Sequence, residues 1–397
     1  MKRILLLGGG SVLIPLIARA HELGCYVITA DYRPGNAAHG HSDAYRYLSV
    51  VDRDAVLEVA REEGVDGVLA FGADPAVLSA VYAAEQLGLP SPLGYTEAQI
   101  LQRKDAFRDY LHNHDFNTPA SFGAGTLGEA MSQLSGQTFP LMVKPVDSAG
   151  SKGVSRVNRE EDFPPAFRLA MGESRAGRVV TEEFVRGLAL EADCLVVDGV
   201  VQPLLLSHEV FGPKGSPLVY TPMLFAFPCD MPPAWTEALQ REVQRLVSLM
   251  GVGSGVFNLE ARVSDNGEPY IMEFSPRAGG GGLAAAVDCA YRLDILGDAL
   301  RAALGEPLRG YAYPLVDRAV YRRLVFPRAA GRFEALELHL PPGARCEYMD
   351  LIASPGDTLA PAANAAGCMA TFLVTLPLPE FQHMDLESVP FTIRMQT

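Results

Sequence analysis

Two carboxylates face each other in the stretch FNLEARVSDNGEPYIMEFSPR, residues 257–277. Asn266-Gly267 between two runs of strand-forming residues predicts a two-residue hairpin turn. With that pair at the centre, Glu260 falls opposite Glu273 and Asn258 opposite Ser275. Alternation sends Phe257, Leu259, Tyr270, Met272 and Phe274 to the other face, toward a core. Like charges directly opposed destabilise a sheet. A hard divalent cation turns that repulsion into coordination, because Mg2+ takes oxygen ligands and keeps company with phosphates. Asn258 and Ser275 share the face and add oxygen donors. The competing reading is a solvated polar face whose long side chains splay into water.

A second feature bears on the same chemistry. The segment VKPVDSAGSKGV, residues 143–154, places Lys144 at the end of a strand run and follows it with a loop of glycine and serine. Such a loop can turn successive backbone N–H groups toward phosphate oxygens, with Lys144 and Lys152 adding positive charge. It is not a Walker A loop, since G-x-x-x-x-G-K-[ST] is absent. A surface turn without function is the alternative. Downstream, TEEFVRG offers an acid pair at the end of an apolar strand, where a base edge could use the backbone and Glu191 could reach a ribose. Most such pairs are merely solvated.

The elements that must carry these groups are legible in outline. Residues 1–95 alternate strand and helix: RILLL, a helix with Pro15 in its first turn and Gly24 past its end, YVITA, then further helix and strand runs. This reads as a doubly wound parallel sheet. GGGSVL tempts a dinucleotide reading with Asp31 downstream, but Leu13 stands where the third glycine of G-x-G-x-x-G belongs. A turn admitting a small anion is the better reading. Residues 96–304 hold a helix around Lys104, the loop, the acid pair and the hairpin. Residues 305–397 read as a small β-rich region with proline and glycine turns.

Composition limits the function classes. The 397 residues are 48% hydrophobic and 20% charged, an ordinary globular mixture for two or three domains. Net charge is −14 and no lysine or arginine run stands out, so the footprint of a nucleic-acid binder is missing. Six cysteines with no CxxC pair read as buried reduced thiols. No run approaches a membrane span, and a cytoplasmic protein is expected.

Taken in order, these residues resemble the ATP-grasp superfamily, of carboxylate–amine ligase type. The resemblance covers the whole chain, and its specificity lies in the set rather than in any piece. It implies an α/β ATP-grasp fold over residues 96–304, with a lid subdomain over about 120–187, between the N-terminal parallel domain and the C-terminal β-rich domain, with ATP and Mg2+ (or Mn2+) as cofactors. By the resemblance, Lys104 and Lys144 bind ATP phosphates, and Ser148, Gly150, Ser151 and Gly153 lie in the loop closing over them. Glu182 receives the adenine amino group, with Glu183 beside it and Phe184 and Val185 at the hinge. Glu191 holds the ribose. Glu260 and Glu273 bind the metal, and Arg277 steadies the transferring phosphoryl group or a substrate carboxylate. The family often reads E-x-N-P-R; here EFSPR puts Ser275 in the asparagine's place, a poorer ligand. The implied partners are a small-molecule carboxylate and amine and a second copy in a homodimer. The implied reaction joins the two through an acyl phosphate, with an L-amino-acid (dipeptide) ligase expected because PRAGGGG offers bare amides beside Arg277. The alternative is a carbamoyl-phosphate-type or purine-pathway activator, and a third reading is a nucleotide-binding regulator without turnover.

Overall fold

The computed structural model describes residues 1–312, 316, 318–382 and 391–396. The N-terminal region builds a four-stranded parallel sheet from β1 (Arg3–Leu7), β2 (Tyr26–Asp31), β3 (Ala44–Tyr47) and β4 (Gly67–Ala70), in the order β3-β2-β1-β4. Parallel strands need crossovers, and α1 (Ile14–Glu22) and α2 (Arg53–Glu62) supply them, with α3 (Val77–Leu87) following β4. Strand β1 is apolar and buried from Ile4 to Leu7 because helices cover both faces of the sheet. Leu13, in the place of the fingerprint's third glycine, is buried in the core. Asp31 uses Oδ1 to accept the Arg33 amide at 2.7 Å, closing a local turn.

Helices α4 (Tyr95–Leu101) and α5 (Lys104–Asn113) lead into a second sheet, in the stretch expected to form a lid. This sheet is antiparallel, made of β5 (Ser121–Ala124), β6 (Leu141–Pro145), β7 (Ser155–Val157) and β8 (Val179–Glu183), ordered β5-β8-β6-β7. Helices α6 (Leu127–Leu134) and α7 (Phe163–Glu173) pack on it around Phe163, Phe167 and Val143.

A nine-stranded sheet forms the body. It contains β9 (Leu188–Val197), β10 (Val200–Val201), β11 (Ser207–Phe211), β12 (Pro222–Phe227), β13 (Gly255–Val263) and β14 (Pro269–Ser275), with α8 (Pro233–Leu249) between β12 and β13. After α9 (Leu283–Tyr291) and α10 (Ile295–Ala303), the strand β15 (Arg318–Val325) joins the same sheet by pairing with β12. Backbone pairing therefore crosses the boundary expected at 304/305. β17 (Arg345–Leu351) and β19 (Ala370–Pro377) extend the sheet, while β16 (Gly331–Leu338), β18 (Thr358–Leu359) and β20 (Phe391–Gln396) form a small separate one. No helix among the described residues is long and apolar enough to cross a membrane. All six cysteines are free, but only Cys25 and Cys194 are buried as expected; Cys229, Cys289 and Cys368 are half-buried, and Cys346 is exposed because it lies on the outermost strand of the large sheet.

The hairpin departs instructively from its sequence reading. Glu260 does pair with Glu273, and Asn258 with Ser275. The turn, however, holds three residues: Ser264 and Glu268 close it, Gly267 donates to the Ser264 carbonyl at 2.9 Å, and Gly267 has φ +85°. That displaces the register by one. A bulge between Glu260 and Ala261 restores it. Between turn and bulge the faces swap, so Ile271 is the core residue while Tyr270 and Met272 are half-buried; Phe257, Leu259 and Phe274 are core as expected. Trp235 packs under the turn, against the space a Gly267 Cβ would need.

Candidate active site

Three neighbouring strands place three carboxylates side by side. β13 pairs with β9 as well as with β14, which sets Glu260 between Glu191 and Glu273 in one row. The next row is Asp193, Asn258 and Ser275. A fourth carboxylate, Glu209, rises from β11 on the same face, the face of Ser207, which pairs with Glu191. Burial, then Glu273, pushes the Glu260 carboxyl up; burial, then Glu260, does the same to Glu191. The row is therefore built to meet cations.

Cations surround it. Lys104 Nζ lies 2.8 Å from Glu273 Oε1 and donates to the Ser148 carbonyl at 3.1 Å. Burial works against the charge on Lys104, but Glu273 overcomes it and keeps the amine protonated. An ammonium resting on the carboxylate row shows that this face accepts positive charge. Glu260 and Glu273 therefore fit a divalent ion, whereas Asn258 and Ser275 are engaged elsewhere. Asn258 Nδ2 donates to Glu191 Oε1 at 2.8 Å. The Ser275 hydroxyl donates to Asp74 at 2.9 Å and accepts from Gln102 at 2.8 Å. Among the described residues no three His, Cys, Asp or Glu side chains enclose a metal by themselves, so water or phosphate oxygens would complete the shell.

The glycine–serine loop arches over this row. Asp147 anchors its start by accepting the Ser174 hydroxyl and the amides of Arg175 and Ala176. Ser151, at φ +59°, donates to the Tyr220 carbonyl at 2.6 Å, and the Ala365 amide reaches the Gly150 carbonyl at 3.4 Å. Gly150 and Gly153 have φ near +70°, and a Cβ on Gly153 would sit 3.0 Å from Pro145. Loop, sheet face and both lysines line one cavity of about 540 Å³ with Glu191, Glu209, Glu260, Glu273 and Arg277.

Glu182 is fully buried and held between Lys144 and Arg108; Arg108 Nε lies 3.0 Å from Glu182 Oε2. Burial alone would raise the carboxyl, but the two cations overcome it and hold it at about 2. Arg108 also donates to the Met272 carbonyl, at the hairpin's bulge, at 2.8 Å. Glu183 is exposed, and Phe184 and Val185 are half-buried beyond the strand end. Sequence reasoning missed Arg108, whose only signal was a basic residue on the apolar face of α5. Asp74 was missed too: it grips Arg277 at 2.9 and 2.7 Å, and Arg277 in turn outweighs the effect of burial and lowers the Asp74 carboxyl. The glycine run after Arg277 is pinned from two sides. Asp193 accepts the Gly279 amide, and Arg322 on β15 donates to the Gly281 carbonyl.

Comparison with known proteins agrees with this geometry. Residues 102–281 match the family model described as an ATP-grasp domain. The formate-dependent phosphoribosylglycinamide formyltransferase of Synechococcus sp. (strain CC9605) is 27% identical over 318 residues, 77% of each chain. The L-amino acid ligase from Bacillus licheniformis superposes with a TM-score of 0.81 at 21% identity, covering 100% of this chain and 99% of that one. The phosphoribosylglycinamide synthetase from Anaerococcus prevotii superposes at 0.77 and 19% identity over 100% of both chains. The carboxylate row beneath a lysine-held glycine–serine loop thus lies within the stretch that matches the ATP-grasp domain, on a fold that the chain shares with these solved ligases.

Proposed function

We propose that the chain activates a small carboxylate with ATP and passes the acyl group to an amine, and that it does so in the manner of the purine-pathway enzymes rather than as a dipeptide ligase. The substrate carboxylate attacks the γ-phosphorus, giving an acyl phosphate and ADP. The amine then attacks the acyl carbon, loses a proton and expels phosphate, leaving a new C–N bond. Positioning and charge stabilisation carry such a reaction, with no protein nucleophile required.

The observation that carries this reading is the row of Glu191, Glu260 and Glu273 under the loop held by Lys104. Mg2+, held by Glu260 and Glu273, would neutralise charge on the phosphates. Lys104 and Lys144 supply positive charge to the same phosphates, and loop residues Ser148, Gly150 and Ser151 line the same cavity. Closure of residues 147–153 excludes water, which would otherwise consume the acyl phosphate. Arg277, fixed by Asp74, presents its charge at the cavity wall beside Gly280 and Gly281, where a substrate carboxylate fits. The likeness to formate-dependent enzymes over 77% of both chains favours formate and a glycinamide-type amine as substrates. The dipeptide reading is supported by fold likeness alone.

The experiment measures ADP and phosphate release by the purified chain with Mg2+, pairing formate or amino acids with phosphoribosylglycinamide or with amino acid acceptors. Formate- and glycinamide-dependent release is the expected result. Turnover only with amino acid pairs would return the dipeptide reading, and release independent of every carboxylate would end the ligase proposal.

A further inference from the structure

The two end strands of the nine-stranded sheet are finished differently. β14 is covered: Arg108 takes the Met272 carbonyl, α4 and α8 pack against the strand, and Trp235 lies under its turn. At the other end β17 pairs with β19 on one side, and among the described residues no strand pairs with it on the other. Such an edge presents a row of unpaired N–H and C=O groups, which proteins usually guard with lysine or proline. The strand sequence RCEYMDL contains neither, and every residue in it except Asp350 is exposed.

The side chains add to the edge. Four of the eleven exposed large hydrophobic side chains among the described residues fall within 348–352: Tyr348, Met349, Leu351 and Ile352. Apolar side chains gathered on an open strand edge mark a surface that another chain covers.

The register of β17 indicates which chain. A bulge interrupts it between Cys346 and Tyr348. Arg345, Tyr348 and Asp350 oppose Thr375, Leu373 and Thr371, alternate residues of β19, and so share one face. Cys346, Met349 and Leu351 oppose Val374, Phe372 and Ala370 and share the other. Without the bulge, Arg345 and Asp350 would point to opposite faces. With it, β17 fits antiparallel against a second copy of itself, Arg345 lying opposite the partner's Asp350 on one face. A two-fold axis makes that charge pair twice, and opposite charges directly across a strand pair stabilise it. The same register sets Cys346 opposite the partner's Met349. Among the described residues no carboxylate of its own chain pairs with Arg345. Asp350 accepts the Ser11 hydroxyl through Oδ2 at 2.5 Å, and a carboxylate has room for further donors.

We propose that the chain forms a two-fold dimer by antiparallel pairing of β17 with the partner's β17, joining the two nine-stranded sheets into one. This inference is independent of the ATP-dependent reading above.

The test is sedimentation of the full chain, with thermal melts as the control for folding. Wild type is expected to sediment as a dimer at micromolar concentration. Arg345→Asp sets acid against acid twice in the dimer and should weaken association at least about tenfold. Adding Asp350→Arg restores the pair with its signs exchanged and should bring the affinity back to within about threefold of wild type. Met349→Cys places a thiol opposite Cys346, within reach of a disulfide. Diamide should oxidise the two thiols to a covalent dimer on a non-reducing gel, and Cys346→Ser should abolish it. In wild type the two copies of Cys346 lie three positions, roughly 10 Å, apart along the strands, too far to be joined. The proposal is overturned by a wild type that stays monomeric at tens of micromolar, or by association unchanged in Arg345→Asp. Failure of Met349→Cys to cross-link, or cross-linking that survives Cys346→Ser, overturns it equally.

Discussion

Replacing Arg108 with methionine tests how the sheet of β5–β8 is tied to the β13–β14 hairpin. Arg108 and Glu182 are both buried, with Nε and Oε2 3.0 Å apart, and the same guanidinium bridges to the Met272 carbonyl at 2.8 Å. Methionine keeps much of the volume but leaves the Glu182 carboxylate with Lys144 as its only cation. Removing one partner of a buried ion pair costs about 3–5 kcal/mol, since the other charge stays desolvated. A second route gives a similar figure: a carboxyl held at about 2 rather than 4.5 contributes roughly 3 kcal/mol at neutral pH. Because the folded value lies below the unfolded one, that contribution is complete above about pH 4.5 and disappears as pH falls toward 2. The assay is urea unfolding followed by the emission of Trp235, the single tryptophan, which packs under the hairpin turn. Arg108→Met should lose about 3–5 kcal/mol at pH 7 and approach wild type as the pH is lowered through 4. The double variant Arg108→Met, Glu182→Gln should be at least about 2 kcal/mol more stable than the sum of the single losses predicts. A loss under about 1 kcal/mol at pH 7, or one independent of pH, would refute the assignment of Arg108 and Glu182 as a stabilising buried pair.

Other perturbations reach the same site. Gly267→Ala puts a side chain at φ +85° and against Trp235; a stability loss of about 1–3 kcal/mol and weaker Mg2+-dependent ADP binding are expected, both readable by calorimetry. Glu260→Gln relieves the carboxylate row. Burial and Glu273 raise the Glu260 carboxyl, so its contribution to metal-free stability is present at acid pH and lost as pH rises toward neutrality. The variant should therefore melt higher than wild type near pH 8 without metal, yet gain little from Mg2+ and ADP, as a thermal melt would show. Gly282→Ala would bring a Cβ to 2.6 Å from the Arg322 guanidinium carbon at φ +83°. Turnover should fall at least about tenfold, with nucleotide affinity within about threefold of wild type, since the glycine run rather than the phosphate loop is displaced.

Local order along the chain was enough for the hairpin, the parallel N-terminal sheet and the glycine–serine loop, because turns and alternation act between near neighbours. The opposition of Glu260 and Glu273 was legible for that reason, although a three-residue turn and a bulge each shifted the register and cancelled. Lys104, Lys144 and Arg277 were found from their places in an ordered pattern, and all three line the one cavity.

What the sequence by itself determined is the pairing within the hairpin and the alternation that turns both acids to one face. Only the tertiary structure decided that Glu191, 69 positions before Glu260, stands beside it on the next strand. Tertiary structure also brought Arg108 to Glu182 and Asp74 to Arg277. The reason is physical. A tight turn fixes register between its own two strands, whereas register between distant strands and the partner of a buried charge depend on how whole elements pack, which no local spacing encodes.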